Sequence, residues 1–186
     1  MGPEAGADGE MMRRTITVAM FCLLATPAVA EFSVPCLWKP FGGCSVTFVS
    51  PEYAAKKVEP LNPQAALEAV NAFRAENGVG PVELDARLTR AAAMQSKAQA
   101  ERSWIGHYGA GGTTAKDRAR AAGYPAKIAS ENVAAGQKSF GDVMHFWKQS
   151  SGHRTNLLRP NVSAIGVAMA QTSSGRAYWT LVLGGQ

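Results

Sequence analysis

The chain has few of the residues that make chemistry easy to recognise. Three histidines and three cysteines are spread over 186 residues. No Cys-x-x-Cys pair, no His-Glu-x-x-His word and no glycine-rich loop after a strand occurs. These absences argue against a redox pair, a locally prearranged zinc site and a nucleotide fold. No basic stripe is interleaved with aromatics, so a nucleic-acid partner is not expected. Repeats and low-complexity segments are missing too. The apolar run at residues 16–24, interrupted by Thr17 and followed by Thr26 and Pro27, falls short of the roughly 20 residues a bilayer span needs.

What stands at that end is an export pattern. Arg13 and Arg14 precede the apolar run, and Ala28-Val29-Ala30 offers small residues at the two positions a signal peptidase reads. Cleavage after Ala30 is expected, making residues 1–30 a signal peptide. The mature chain then has no stable membrane span and belongs in the periplasm or outside the cell. The charged leader and Ala-x-Ala word fit bacterial export. Cys22 leaves with the leader, so Cys36 and Cys44 remain as an even pair in an oxidising compartment, and a disulfide between them is expected. It would tie an N-terminal extension and linker, residues 31–60, without holding the main core.

With 46% hydrophobic and 18% charged residues, the remainder suits one ordinary globular domain, residues 61–186. The net charge of +5 becomes more positive once the leader is gone. Its cations, among them Lys97, Arg102, Lys116, Arg118, Arg120 and Arg154, are scattered as on a soluble surface. Adhesion to acidic lipids or cell-wall polymers is the sharper reading.

Regular structure begins at Asn62-Pro63, an acceptor side chain followed by proline at a first helical turn, and the helix closes at Asn77-Gly78. Asp85 caps a second helix to about Arg102, in which Leu88, Ala91, Ala92 and Gln95 recur at helical spacing. Thr113 or Thr114 starts a short helix over residues 116–122, and another spans residues 140–149. The period then changes. Residues 164–170 and 177–183 read as strands of a hairpin turned at Ser173-Ser174-Gly175. Helices first and an antiparallel hairpin last predict an α+β layout.

Two of the histidines lie in polar, glycine-flanked words, Gly106-His107-Tyr108-Gly109 and Ser151-Gly152-His153-Arg154-Thr155-Asn156. Between them Ser130-Glu131-Asn132-Val133-Ala134 supplies a carboxylate opening an apolar strand. Two imidazoles and a carboxylate can do acid-base chemistry near neutral pH or form part of a metal site. The structural alternatives are a surface role for His107, hydrogen-bond acceptance by Glu131 from either histidine segment, and a turn hydrogen bond at His153. Asn132, Arg154 and Asn156 suit a scaffold that satisfies backbone carbonyls around the histidines. His145 reads as an exposed helical residue. Tyr108 and Ser150 are candidate cleft-wall residues. Ser150 as a nucleophile would need a base and an oxyanion hole.

The order of these words resembles the CAP superfamily, that is cysteine-rich secretory proteins, antigen 5 and pathogenesis-related proteins, or SCP domains. The resemblance covers roughly residues 61–184. It is carried by Asn71-Ala72-Phe73-Arg74, Leu84-Asp85-Ala86-Arg87-Leu88, Gly106-His107, Glu131-Asn132-Val133-Ala134, the word from Trp147 through Gly152-His153-Arg154-Thr155-Asn156 to Leu158, and Ile165-Gly166-Val167-Ala168. The Trp147 word is similar to the bacterial branch. The resemblance implies a three-layer α-β-α sandwich around a small, mainly antiparallel sheet, with a cleft lined by two histidines and two glutamates. In some members the histidines hold zinc or another divalent cation. His107, Glu131 and His153 match three of the four positions, and Ser150 stands where the second glutamate would be. The expected cleft is therefore His107, Tyr108, Glu131, Ser150 and His153, with His107 and His153 as the metal candidates. Two functions follow. One is an exported binding module for a lipid, a cell-wall fragment or a protein, as family members that bind sterols and fatty acids suggest. The other is a metal-assisted hydrolase, peptidase-like or directed at cell-wall material, using Glu131 and an imidazole.

Overall fold

The computed structural model describes residues 50–186. The expected leader, the Cys36–Cys44 disulfide and the part of the N-terminal extension before Ser50 lie outside the described residues. The chain divides into two units, one ending at Ala54 and one beginning at Ala55. A five-residue helix, α1 (Pro51–Ala55), spans that boundary.

The helices of the second unit start where side-chain acceptors replace missing backbone partners. α2 (Pro63–Glu76) is capped by Asn62 Oδ1, which accepts from the backbone N–H groups of Gln64 and Ala65 at 3.0 and 3.2 Å. α3 (Ala86–Arg102) is capped in the same way by Asp85. α4 (Ala115–Ala121) and α5 (Phe140–Gln149) each open on a reciprocal capping box, Thr114 with Asp117 and Ser139 with Asp142. The word that reads as a turn, residues 151–156, is in fact helical, and α6 (Ser151–Leu157) carries His153. Ser150 alone separates it from α5. Its extended backbone, φ −85° and ψ 121°, breaks the hydrogen-bond ladder and lets a new helix begin.

Four strands, β1 (Glu83–Leu84), β2 (Ile128–Ala135), β3 (Ala164–Gln171) and β4 (Ala177–Gly185), form a sheet in the order β1-β3-β4-β2. Only β1 pairs in parallel; β3 with β4 and β4 with β2 are antiparallel. The period of two along the strands separates two cores. Ile165, Val167, Trp179, Leu181 and Leu183 meet Val70 and Phe73 of α2, Val143, Met144 and Trp147 of α5, and Leu157 of α6. On the other face Ala164, Ala168 and Val182 meet Leu88, Ala91 and Ala92 of α3 and Ala119 of α4. The result is the expected three-layer α+β arrangement.

Trp147 and Trp179 are fully buried in the first core, on the order of 3 kcal/mol of apolar burial each. Their indole N–H groups donate to the carbonyls of Val133 and Gln137, each at 3.1 Å, so neither polar atom is stranded. The second core is thin because alanine and glycine bring backbones together. A Cβ on Gly166 would lie 1.9 Å from the Leu88 carbonyl carbon, which shows how closely α3 lies on β3. Among the described residues no helix is long and apolar enough to cross a membrane.

Candidate functional site

The site is organised by β2, the edge strand beside β4. Glu131 is the fourth residue of that strand, not its opening residue. It sits opposite Val182, whose side chain belongs to the core under α3 and α4. Asn132 is opposite Leu181, on the face covered by α2, α5 and α6. Adjacent residues of one strand thus reach opposite layers. Glu131 reaches the His107 loop, and Asn132 reaches α6, donating from Nδ2 to the His153 carbonyl at 3.0 Å. Asn156 returns from α6, donating from Nδ2 to the Glu131 carbonyl at 3.1 Å and to Asn132 Oδ1 at 2.9 Å. With Trp147 on the Val133 carbonyl, two carbonyls of this strand are closed by side chains from the α5–α6 layer.

The Glu131 carboxylate, 3% exposed, has both oxygens engaged. Oε1 accepts from His107 Nδ1 at 3.1 Å. Oε2 accepts from Arg118 Nη2 at 2.5 Å, and the Arg118 side chain is 2% exposed. The same guanidinium donates to the carbonyls of Thr113 and His107, at 2.5 and 3.3 Å. It therefore ties both ends of the loop that carries His107 to the strand that carries Glu131. From below, Gln95 and Gln99 of α3 both donate from Nε2 to the Gly106 carbonyl, at 2.6 and 2.7 Å.

Arg118 corrects the reading of that residue as one of the scattered surface cations. The available signal was its place among alanines: Ala115, Arg118, Ala119 and Ala122 share one face of α4, while Lys116 and Arg120 lie off it. A cation within an alanine stripe is a buried cation in need of an anion. Arg154 also departs from expectation. It satisfies no backbone carbonyl, but donates to Asn77 Oδ1 at 2.7 Å and lies over the Phe73 ring. Asn132 and Asn156 are scaffold residues as expected.

The two imidazoles are shifted in opposite directions. The hydrogen bond to Glu131 raises the pKa of His107 above its ordinary value, against burial and the positive charge of Arg118. A carboxylate only accepts, so Nδ1 carries the hydrogen and Nε2 is left for solvent or a ligand. Burial lowers the pKa of His153, with repulsion from His107 in the same direction. The His153 ring packs 5.6 Å from Phe146 and 6.3 Å from Trp147, and its buried Nδ1 has no hydrogen-bond partner among the described residues. His145 is exposed and bonded to Gln149, as a surface helical residue should be.

Four of the five exposed large hydrophobic side chains among the described residues belong to this region. Trp104, Ile105 and Tyr108 flank His107 in its loop, Tyr108 being 64% exposed, and Phe146 covers His153. Trp104 folds its ring back over Gly106, where an added Cβ would collide with it. Ser150 joins α5 to α6, makes no capping hydrogen bond, and is bonded to none of the three imidazoles. Among the described residues no base is hydrogen-bonded to the Ser150 hydroxyl, as serine nucleophilic catalysis would need.

A metal would find two imidazoles here and little more. Among the described residues no group of three His, Cys, Asp or Glu side chains is placed to hold an ion. Glu131 is committed to Arg118 and His107, and Ser150 brings no carboxylate. The donor set falls short of the three protein ligands of a catalytic zinc and the four of a structural one.

Residues 67–183 match a family described as CAP, the cysteine-rich secretory protein family. The chain is 32% identical over 114 residues to the uncharacterized protein YkwD of Bacillus subtilis strain 168, across 61% of this chain and 43% of that protein. It therefore spans less than half the length of this relative. An outer surface protein of Borrelia burgdorferi shares the fold with a TM-score of 0.61 at 20% identity, over 66% of this chain and 91% of its own. An extracellular SCP-domain protein of Bacillus anthracis does so with a TM-score of 0.59 at 21% identity, over 69% and 45%.

Proposed function

We propose an exported binding role for this chain, which belongs to the cysteine-rich secretory protein, or CAP, family. The ligand meets the surface around His107 and His153 and is a lipid, a cell-wall fragment or a protein that presents an apolar group beside a polar one. The observation that carries this reading is the exposure of Trp104, Ile105, Tyr108 and Phe146 around the two imidazoles. Exposed apolar side chains clustered at one place mark a contact surface, whereas single ones scattered over a protein do not. The polar part is the outward Nε2 of His107, held in direction by Glu131. Export is supported by the leader pattern, and two of the solved proteins that share the fold are described as an outer surface protein and an extracellular protein.

Trp104 supplies the test. Binding of the mature chain to anionic vesicles, zwitterionic vesicles or solubilised peptidoglycan fragments is followed by titration calorimetry. Saturable binding to one of these, weakened about tenfold or more in Trp104→Ala with Tyr108→Ala, is expected from the loss of two aromatic contacts. Absence of saturable binding to all three would sink the reading.

The hydrolase alternative has one observation in its favour, an imidazole braced by a carboxylate with its free nitrogen toward solvent. Its difficulty is that Arg118 holds the second carboxylate oxygen and, among the described residues, no serine, threonine or cysteine side chain is hydrogen-bonded to the pair. Turnover of a peptide or wall substrate that disappears in Glu131→Gln would replace the binding reading with this one.

A further inference from the structure

We propose that the groove at the C-terminal end of α6 is a second binding site, separate from the His107 surface, that takes a phosphodiester polymer. The groove has a volume of about 620 Å³ and is lined by Arg154, Thr155, Leu158, Arg159, Pro160 and Asn161. Its charge is one-sided. Residues 143–186 contain no aspartate or glutamate, but include Lys148, Arg154, Arg159 and Arg176. Among the described residues none of Lys148, Arg154 and Arg159 is paired with a carboxylate.

These cations are held close together. Lys148 Nζ and the Arg154 guanidinium lie 4.8 and 5.0 Å from the centroid of the same ring, that of Phe73. Beneath the groove sits a further cation, Arg74, only 1% exposed. It donates from Nε to the Gly80 carbonyl at 2.7 Å and from Nη1 to the carbonyls of Leu157 and Arg159 at 2.7 and 3.0 Å. Its partners are dipoles, so its full charge adds to the field of the groove. Like charges gathered without counter-charge repel one another, and an anion relieves that repulsion. One carboxylate would neutralise a single member of the group. A chain of phosphodiesters, with charge repeated along it, meets several at once.

The hydrogen-bonding geometry agrees. Asn77 fixes one edge of Arg154 through Nη2 at 2.7 Å and, among the described residues, leaves its other donors unbonded. A guanidinium already oriented loses less freedom on binding phosphate, whose oxygens match its planar fork. Asn161 adds a neutral amide donor beside it, Thr155 spends its hydroxyl hydrogen on the Ser151 carbonyl at 2.9 Å, and Leu158 with Pro160 gives an apolar wall for the carbon backbone of the polymer.

The test is titration of the full-length mature chain with a soluble glycerol-phosphate oligomer, alongside inorganic phosphate and phosphatidylglycerol vesicles, at low and high salt. The variants are Arg154→Ala with Arg159→Ala, and Arg159→Glu alone, whose native side chain makes no hydrogen bond among the described residues and whose loss spares the fold. Lys97→Ala with Arg176→Ala removes the same charge as the first pair from the other end of the molecule. Lys97 lines a cavity with Gln171, Thr172 and Ser173 of the hairpin turn, and β3 separates that turn from Asn161. Oligomer binding is expected to weaken at high salt and to fall about tenfold or more in both groove variants, as loss of charge-assisted hydrogen bonds requires, with the hairpin variant unchanged. Equal loss in groove and hairpin variants would reduce the effect to net charge and overturn the site. Inorganic phosphate binding as tightly as the oligomer, or binding to vesicles but not to oligomer, would overturn the polymer as its occupant.

Discussion

Glu131 has no oxygen left over, and Arg118 is the reason. Each member of this buried pair offsets the desolvation of the other, so removing one leaves an uncompensated charge. Arg118→Met should destabilise the protein by about 3–5 kcal/mol, and Arg118→Met with Glu131→Leu by clearly less than the sum of the two single changes. Thermal melts of the three variants measure this, and additive losses would contradict it. The histidines make a second prediction. His107, raised in the folded state, contributes stability that is complete below its unfolded pKa of about 6.5 and is lost as pH rises through its folded value. His153, lowered in the folded state, contributes stability present above about 6.5 and lost as pH falls through its folded value. Together they place a maximum near pH 6.5, with His107 titrating above His153 in an NMR titration; the reverse order would overturn the assignment. At this scale the sequence words exposed His107, Glu131, His153, Asn132 and Asn156. They hid Arg118, since a charge in a basic run looks solvated until the alanines around it are read as a helix face.

Helix starts were legible because they are local: an acceptor side chain placed next to orphan N–H groups needs no tertiary information. The limits of β2 and the helical nature of α6 were not. Both depend on partners far along the chain, β4 for the strand and the Glu131 carbonyl for Asn156. A Ser-Ser-Gly start also has weak helix propensity, which packing of Leu157 overrides. Two element-level changes test the geometry. Ser103 closes α3 with φ 51°, a left-handed conformation that penalises a Cβ. Ser103→Gly should raise stability by about 1 kcal/mol in a denaturant melt. Gly166→Ala should do the opposite. The new Cβ meets the backbone of Leu88 and Thr89, which cannot step aside as a side chain could. A loss of about 3 kcal/mol is expected, at the upper end for overpacking, and a neutral result would mean that α3 does not lie so close to β3.

The unit from Ala55 to Gln186 is a sheet covered on both faces, and its site lies where the two covering layers meet the same edge strand. Glu131 and Asn132 are neighbours in sequence but belong to opposite layers, so the distance between the histidine surfaces is set by sheet and helix packing alone. Nothing in that packing calls on a cysteine, because all three cysteines precede residue 55. The unit from Ala55 to Gln186 contains the two cores and all the residues of the His107, Glu131 and His153 constellation. A disulfide between Cys36 and Cys44 would constrain only the short loop it closes, and so would act on the segment before this unit. The chain cut to begin at Ala55 should therefore fold with a single cooperative thermal transition. Its midpoint should not change when reductant is added, and its His107 and His153 resonances should titrate as in the full-length protein. A midpoint that falls on truncation together with a reductant-sensitive midpoint in the full-length chain would show that the N-terminal segment supports the core after all.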